Sequence, residues 1–125
     1  MSHRMLVIDD EPGILVAVAA YFRHLGYEVD CAREREEAEA LLSQNCYSCV
    51  IADLRLTPFN GADGLEIVAS VRERSPSTRI IILSAYGSPA TEREARRRGA
   101  DAFFHKPRPL ADVARAVSSL IELES

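Results

Sequence analysis

The sequence has no tryptophan and only one lysine in 125 residues, Lys106, against fourteen arginines. It also has no apolar run near the ~20 residues that a membrane-spanning helix needs, so no membrane span is expected. The start, MSHRMLVIDDEP, lacks the apolar stretch and small-residue cleavage site of a secretory signal, which makes a cytoplasmic location the expectation. The three cysteines are too few for a disulfide framework and fit a reducing compartment. Cys46 and Cys49 form a C-x-x-C, but a structural zinc site takes four ligands and there is no second pair. Cys49 opens the apolar run CVIAD, where a cysteine packs as a small hydrophobe. A net charge of −4 gives no argument for direct nucleic-acid binding. Internal repeats, low-complexity tracts and linkers are missing as well. The length therefore reads as one domain over residues 1–125, and 47% hydrophobic residues are enough for a proper core.

What is present alternates between two patterns. Residues 4–9, RMLVID, read as a short apolar strand ending in acid. Ile14, Leu15, Val18, Tyr21, Phe22 and Leu25 then recur at helical spacing, with Pro12 suited to the first turn and Gly26 to the C-terminal cap. YEVDCA is a strand, and REREEAEALLSQ a charged helix with Ala38, Leu41 and Leu42 inward. CVIAD is a buried strand. GLEIVASVRER is a helix closed by Ser75-Pro76, and RIIIL is the clearest strand. PATEREARRRG is a helix with a thin apolar face, mainly Ala90 and Ala95. DAFFH is a short strand, and PLADVARAVSSLIEL a last amphipathic helix. Strands this continuously apolar are buried on both faces, which implies a parallel sheet covered by helices. Right-handed crossovers then give a doubly wound α/β domain, with ligands expected at the carboxyl ends of the strands.

Those ends carry a concentrated chemistry. The first strand leads into Asp9-Asp10-Glu11, the third ends at Asp53, the fourth at Ser84-Ala85 and the fifth at Lys106-Pro107. An aspartate such as Asp10 also serves as a helix N-cap, and Asp53 and Ser84 are ordinary in turns and loops. Acid, hydroxyl and amine at all four ends favour a site over four coincidences. Clustered carboxylates repel by about 4 kcal/mol per pair at ~4 Å and an effective dielectric near 20. A divalent cation relieves this, and an all-oxygen donor set suits Mg²⁺. Metal, carboxylate and lysine together are equipment for phosphoryl transfer, in which an aspartate can be the nucleophile. Lysine offers a compact charge on a flexible stem where arginine offers a flat fork, which gives the lone lysine a reason to differ from its fourteen neighbours.

Over essentially its whole length the chain resembles the receiver domain of two-component response regulators. The matching pieces are LVIDDEP at 6–12, VIADLRL at 50–56, IIILSAYG at 80–87 and GADAFFHKP at 99–107. The resemblance implies a five-stranded, flavodoxin-like (βα)5 sheet of order 2-1-3-4-5. It implies that Asp53 is the phosphoacceptor and that Asp10 is a direct Mg²⁺ ligand, with Asp53 beside it in the metal site. Asp9 would act through metal-bound water, and the backbone carbonyl of Arg55 would complete the site. Ser84 matches the hydroxyl that bonds the phosphoryl group, Lys106 the lysine that pairs with it, and Phe103 the aromatic that turns inward on activation. The Lys106–Pro107 bond is one the family usually holds cis. The implied partner is a sensor histidine kinase or a histidine phosphotransfer protein. Output is expected as a conformational switch, with a homodimer through helix four, strand five and helix five as one form. Such a protein catalyses its own aspartyl phosphorylation and slow autodephosphorylation without being a turnover enzyme.

The sequence also departs from that pattern. In DLRLTPFNGADGLEIV, proline falls at the fifth position after Asp53, and Gly64-Leu65-Glu66 arrives about three residues late, so a longer and more mobile loop over 54–64 is expected. Phe103 stands where tyrosine is commoner. Arg55 and Tyr86, two beyond Asp53 and two beyond Ser84, flank the path of the hydrolytic water in the family; both are large, which implies a long-lived phosphorylated state. Arg93, Arg96, Arg97 and Arg98 make helix four basic, either as a solvated face or as part of an output surface. Two rival readings are a phosphorylation-independent pseudo-receiver that docks a partner and a small aspartyl-phosphate phosphohydrolase. The intact Asp9, Asp10, Asp53, Ser84 and Lys106 oppose the first, and the lack of room for a substrate cap opposes the second. Whether the chain stands alone or is part of a longer regulator stays open.

Overall fold

The computed structural model describes residues 3–53, 63–85 and 88–122, excluding the side chain of Asp63. Its elements alternate strictly: β1 (Arg4–Ile8), α1 (Pro12–His24), β2 (Glu28–Ala32), α2 (Arg35–Gln44), β3 (Cys49–Ala52), α3 (Asp63–Arg74), β4 (Arg79–Ser84), α4 (Pro89–Arg98), β5 (Ala102–His105) and α5 (Leu110–Glu122). The five strands form one parallel sheet in the order β2-β1-β3-β4-β5. This is the doubly wound architecture that the apolar strands imply, and the winding reverses between β1 and β3.

The period of two along each strand divides the core. Leu6, Ile8, Val50, Ala52, Ile80, Ile82 and Phe103 face one layer, where they pack on Ala38 of α2, Ile67, Val68 and Val71 of α3, and Ala95 of α4. Met5, Val7, Cys49, Ile51, Ile81 and Leu83 face the other, against Leu15, Val18 and Phe22 of α1 and Val113, Val117 and Ile121 of α5. Each such fully buried aliphatic side chain contributes roughly 1.5–3 kcal/mol. A one-residue slip of any central strand would exchange the two layers, so the register is firmly set.

Local signals hold at most ends. Pro12 occupies the first turn of α1, where its missing N–H costs nothing. Gly26 follows that helix at φ 101°, a left-handed geometry that glycine adopts without strain. Glu11, not Asp10, is the N-cap of α1 and makes no side-chain cap bond, so Asp10 is not occupied in capping. Two expected inward residues differ. Ala90 is exposed, and Ala95 alone is buried on α4. Leu25 is half exposed, because α1 ends at His24 and Leu25 is already its C-cap. The expected 54–64 loop lies almost wholly outside the described residues.

Cys49 is fully buried and Cys46 exposed, and all three cysteines are free. Burial pushes the Cys49 thiol far up from its ordinary value. The C-x-x-C is therefore the end of a loop and the start of a core strand, not a redox pair. Among the described residues, no helix is long and apolar enough to cross a membrane.

Candidate functional site

Three backbone hydrogen bonds carry the sheet one residue past its strands and so place the site. Asp9 N–H donates to Ala32 O at 3.1 Å, Asp53 N–H to Ile8 O at 2.9 Å, and Lys106 N–H to Ser84 O at 2.9 Å. Each first residue after β1, β3 and β5 is thus held to a neighbouring strand. The winding reversal sets Asp9 beside Asp53, as expected of a crevice at such a switch point. In the β4–β5 register His105 lies opposite Ser84, which brings Lys106 over the same edge. The Lys106–Pro107 peptide is cis, as the resemblance implies.

Asp9, Asp10 and Asp53 each offer a carboxylate oxygen within 4.8 Å of the others. Asp9 and Asp53 are only 4% and 5% exposed, while Asp10 is half-buried. At that spacing each charged pair repels by roughly 3–4 kcal/mol at an effective dielectric near 20. Among the described residues, Lys106 supplies a counter-charge. Its Nζ donates to Asp9 Oδ2 at 2.7 Å and to Asp53 Oδ2 at 3.4 Å, and its side chain is 14% exposed. Burial works to lower the Lys106 pKa, but the Asp9 hydrogen bond and the charges of Asp53 and Asp9 outweigh it, so the ammonium is held above its ordinary value. The second oxygen of Asp9 accepts the Glu11 N–H at 3.0 Å, which fixes the rotation of that carboxylate. An all-carboxylate cluster is a donor set for a hard cation such as Mg²⁺ or Ca²⁺, not for zinc or copper.

Ser84 is fully buried at the end of β4. Phe103 is buried among the α2–α3–α4 layer, its ring centroid 5.2 Å from that of His105. Arg55 and Tyr86 lie outside the described residues, so the structure gives no account of either. The basic run on α4 is largely paired within its own helix: Arg96 with Glu92, and Arg97 and Arg98 with Glu94. Hydrogen bonds from Arg97 and then Arg98 hold the Glu94 carboxyl down to about 2. Arg93 is exposed and has no ion pair of this kind among the described residues. Together with Pro89, Glu92, Arg96 and His105 it lines a groove of about 370 Å³ between α4 and β5.

A sequence profile of the response regulator receiver domain matches residues 5–118. The chain belongs to the response regulator receiver family. This receiver is 31% identical over 113 residues to the photosynthetic apparatus regulatory protein RegA of Rhodobacter capsulatus, an alignment spanning 90% of this chain and 60% of that one. It is also 31% identical over 121 residues to the transcriptional regulatory protein SrrA of Staphylococcus aureus, spanning 97% of this chain and 48% of that one. The chain thus spans about half the length of the curated relatives it matches. Among solved structures, a response regulator from Burkholderia pseudomallei, with a phosphorylated aspartic acid, calcium ion and citrate, superposes with a TM-score of 0.86 at 28% identity, covering 98% of this chain and 71% of that one. A receiver domain protein from Clostridium thermocellum superposes with a TM-score of 0.88 at 27% identity, covering 98% and 96%.

Sequence reasoning did not foresee the lysine's stronger engagement with Asp9 than with Asp53. Nor did it single out Asp101. That residue sits at the opposite, amino-terminal edge, where its Oδ2 accepts the Ile80 N–H at 2.8 Å and an Arg72 Nη2–H at 3.0 Å. The one available signal was its place in the Gly99-Ala100-Asp101 run.

Proposed function

We propose that residues 1–125 act as one Mg²⁺-dependent phosphoreceiver domain that takes a phosphoryl group onto Asp53 from a phosphohistidine. The observation that carries this reading is the placement of Lys106 Nζ between the carboxylates of Asp9 and Asp53, with Asp10 completing the cluster. The carboxylate of Asp53 attacks phosphorus, its O–P bond forming as the donor's N–P bond breaks. Asp10, Asp53 and the backbone carbonyl of Arg55 would hold the cation, and Asp9 would reach it through water. A bound Mg²⁺ supplies charge neutralisation for the transferring group. The Lys106 ammonium pairs with phosphoryl oxygens as a point charge, and the Ser84 hydroxyl bonds the group after transfer. The phosphorylated aspartate and calcium ion of the similar Burkholderia protein support the same assignment here.

The donor is a sensor histidine kinase or histidine phosphotransfer protein, met in the cytoplasm. The output is a population shift involving Ser84 and Phe103, read on the α4–β5–α5 face by a partner or a second copy. Intact mass after incubation with acetyl phosphate and Mg²⁺ tests the reading. One added phosphoryl group, abolished in Asp53→Asn, is the expected result. No mass change in the folded wild type would leave a phosphorylation-independent docking module. Undiminished labelling of Asp53→Asn would move the acceptor elsewhere.

A further inference from the structure

We infer that Asp101 couples the last turn of α4 to the last turn of α5, through Arg72 on one side and Arg79 on the other, so that the two helix ends hold or loosen together. The inference deepens the reading of the α4–β5–α5 face given above, and rests on it for its consequence: the two helices of that face respond as a unit.

Both helices end on a cation supplied by another element. A helix C-terminus leaves its last carbonyls without intrahelical partners and carries a partial negative charge, so a guanidinium donating there is favourable. Gly99 is the C-cap of α4, and its carbonyl accepts from Arg72 Nη2 at 2.8 Å. The Leu120 carbonyl, in the last turn of α5, accepts from Arg79 Nε at 3.1 Å. Arg72 lies in the last turn of α3, and Arg79 opens β4. The arginines of α4 itself are spent elsewhere, since Arg96, Arg97 and Arg98 pair with Glu92 and Glu94.

One carboxylate meets both capping arginines. Asp101 Oδ2 accepts from Arg72 Nη2 at 3.0 Å and from the Ile80 N–H at 2.8 Å, while Oδ1 lies 3.5 Å from Arg79 Nη1. The path from α4 to α5 therefore runs from Gly99 O through Arg72, Asp101 and Arg79 to Leu120 O. The Arg72, Asp101 and Arg79 side chains are 28%, 20% and 22% exposed, so solvent screens them less than it screens a surface pair. In such a setting, linked hydrogen bonds strengthen one another. The Ile80 N–H fixes where the carboxylate sits, and the two arginines fix how it is turned. Loss of either frees that rotation, and the remaining arginine is held less firmly against its own helix end. The effect matters most for α4, which buries only Ala95, whereas Val113, Val117 and Ile121 anchor α5.

Amide hydrogen exchange of the full chain reads the two ends separately. The N–H groups of Gly99 and Ala100, bonded to Arg96 O and Ala95 O, report on the end of α4, and those of Ile121 and Glu122 on the end of α5. The amides of Leu6 and Val7 in the buried strand β1 report global opening. Arg79→Gln should speed exchange severalfold at Ile121 and Glu122, and also at Gly99 and Ala100, whose helix Arg79 does not cap. Arg72→Gln should likewise speed exchange at both ends. In an Asp101→Asn background, each substitution should act only on the helix end that its arginine caps. Far-end exchange that is unchanged or slowed overturns the inference, as does a far-end effect that survives in Asp101→Asn. Equal acceleration at Leu6 and Val7 overturns it too, because the effect is then global destabilisation. None of these outcomes bears on the phosphoreceiver reading, which the acetyl phosphate experiment decides separately.

Discussion

Asp101→Ala should destabilise the fold by about 2–4 kcal/mol, although the residue lies at the sheet edge opposite the acidic cluster. Asp101 Oδ2 accepts the N–H of Ile80, which is wholly buried. Loss of a charged acceptor from a buried donor costs about 1.5–3 kcal/mol. The same carboxylate meets Arg72 Nη2 at 3.0 Å and Arg79 Nη1 at 3.5 Å. These pairs are partly exposed, so each is worth only a few tenths to about 1 kcal/mol. Arg72 also keeps its bonds to Gly99 O and Pro76 O, and Arg79 its bond to Leu120 O, which limits the total. Asp101→Asn retains an acceptor and should cost about 1 kcal/mol. At roughly 3–5 °C per kcal/mol for a chain of this size, the alanine variant should melt ~10 °C lower. Urea unfolding followed by far-ultraviolet circular dichroism suits a protein without tryptophan. A loss below ~0.5 kcal/mol for Asp101→Ala would refute the assignment of Asp101 as the tie between β4, β5 and α3. Gly99→Ala probes the same junction by another route. Gly99 has φ 122°, and an added Cβ would meet Arg72 Nε at 2.8 Å, so this variant should also lose stability in the same assay.

Lys106→Arg should slow phosphorylation by acetyl phosphate and weaken the phosphorylation-induced spectral change; equal values in both proteins would make the lysine incidental. Because the Lys106 pKa is raised in the fold, the stability it contributes is full below the ordinary lysine pKa near 10.4 and is lost as pH rises through the higher folded value. The stability gap between wild type and Lys106→Met, measured by urea titration, should therefore be flat at neutral pH and narrow only above about pH 10.5. Ellman's reagent should modify exposed Cys46 readily, half-buried Cys31 more slowly, and buried Cys49 only on unfolding; rapid native labelling at all three would contradict the packing described. The Arg55→Ala, Tyr86→Ala double variant should lose its phosphoryl group severalfold faster than wild type with Mg²⁺ present, while an unchanged or slower decay rules out shielding of the attacking water.

The sequence by itself determined the order and type of all ten elements. Continuous apolar strands such as RIIIL have no stable exposed form, and helices with one apolar stripe must cover them. It also determined which residues stand at the carboxyl ends, because each functional group directly follows or closes its strand. What it left open depends on contacts between distant segments. Strand order brings Asp9 next to Asp53 across 44 residues of chain and sets Lys106 against both. Nothing local in HKP reveals that its ammonium lies closer to Asp9 than to Asp53, since that is decided by the β4–β5 register and the Ser84 carbonyl. Ala90 and Ala95 look equivalent in PATEREARRRG, but only the latter meets α3 and the sheet. Asp101 reads only as the first residue of the strand DAFFH. Its work as an acceptor exists only once α3, β4 and β5 are assembled, because Arg72, Arg79 and the Ile80 N–H come from other parts of the chain. Periodicity and composition are local properties, and they fix local structure and the choice of face. Pairing of charges is a property of the packed molecule, and only the tertiary structure decides it.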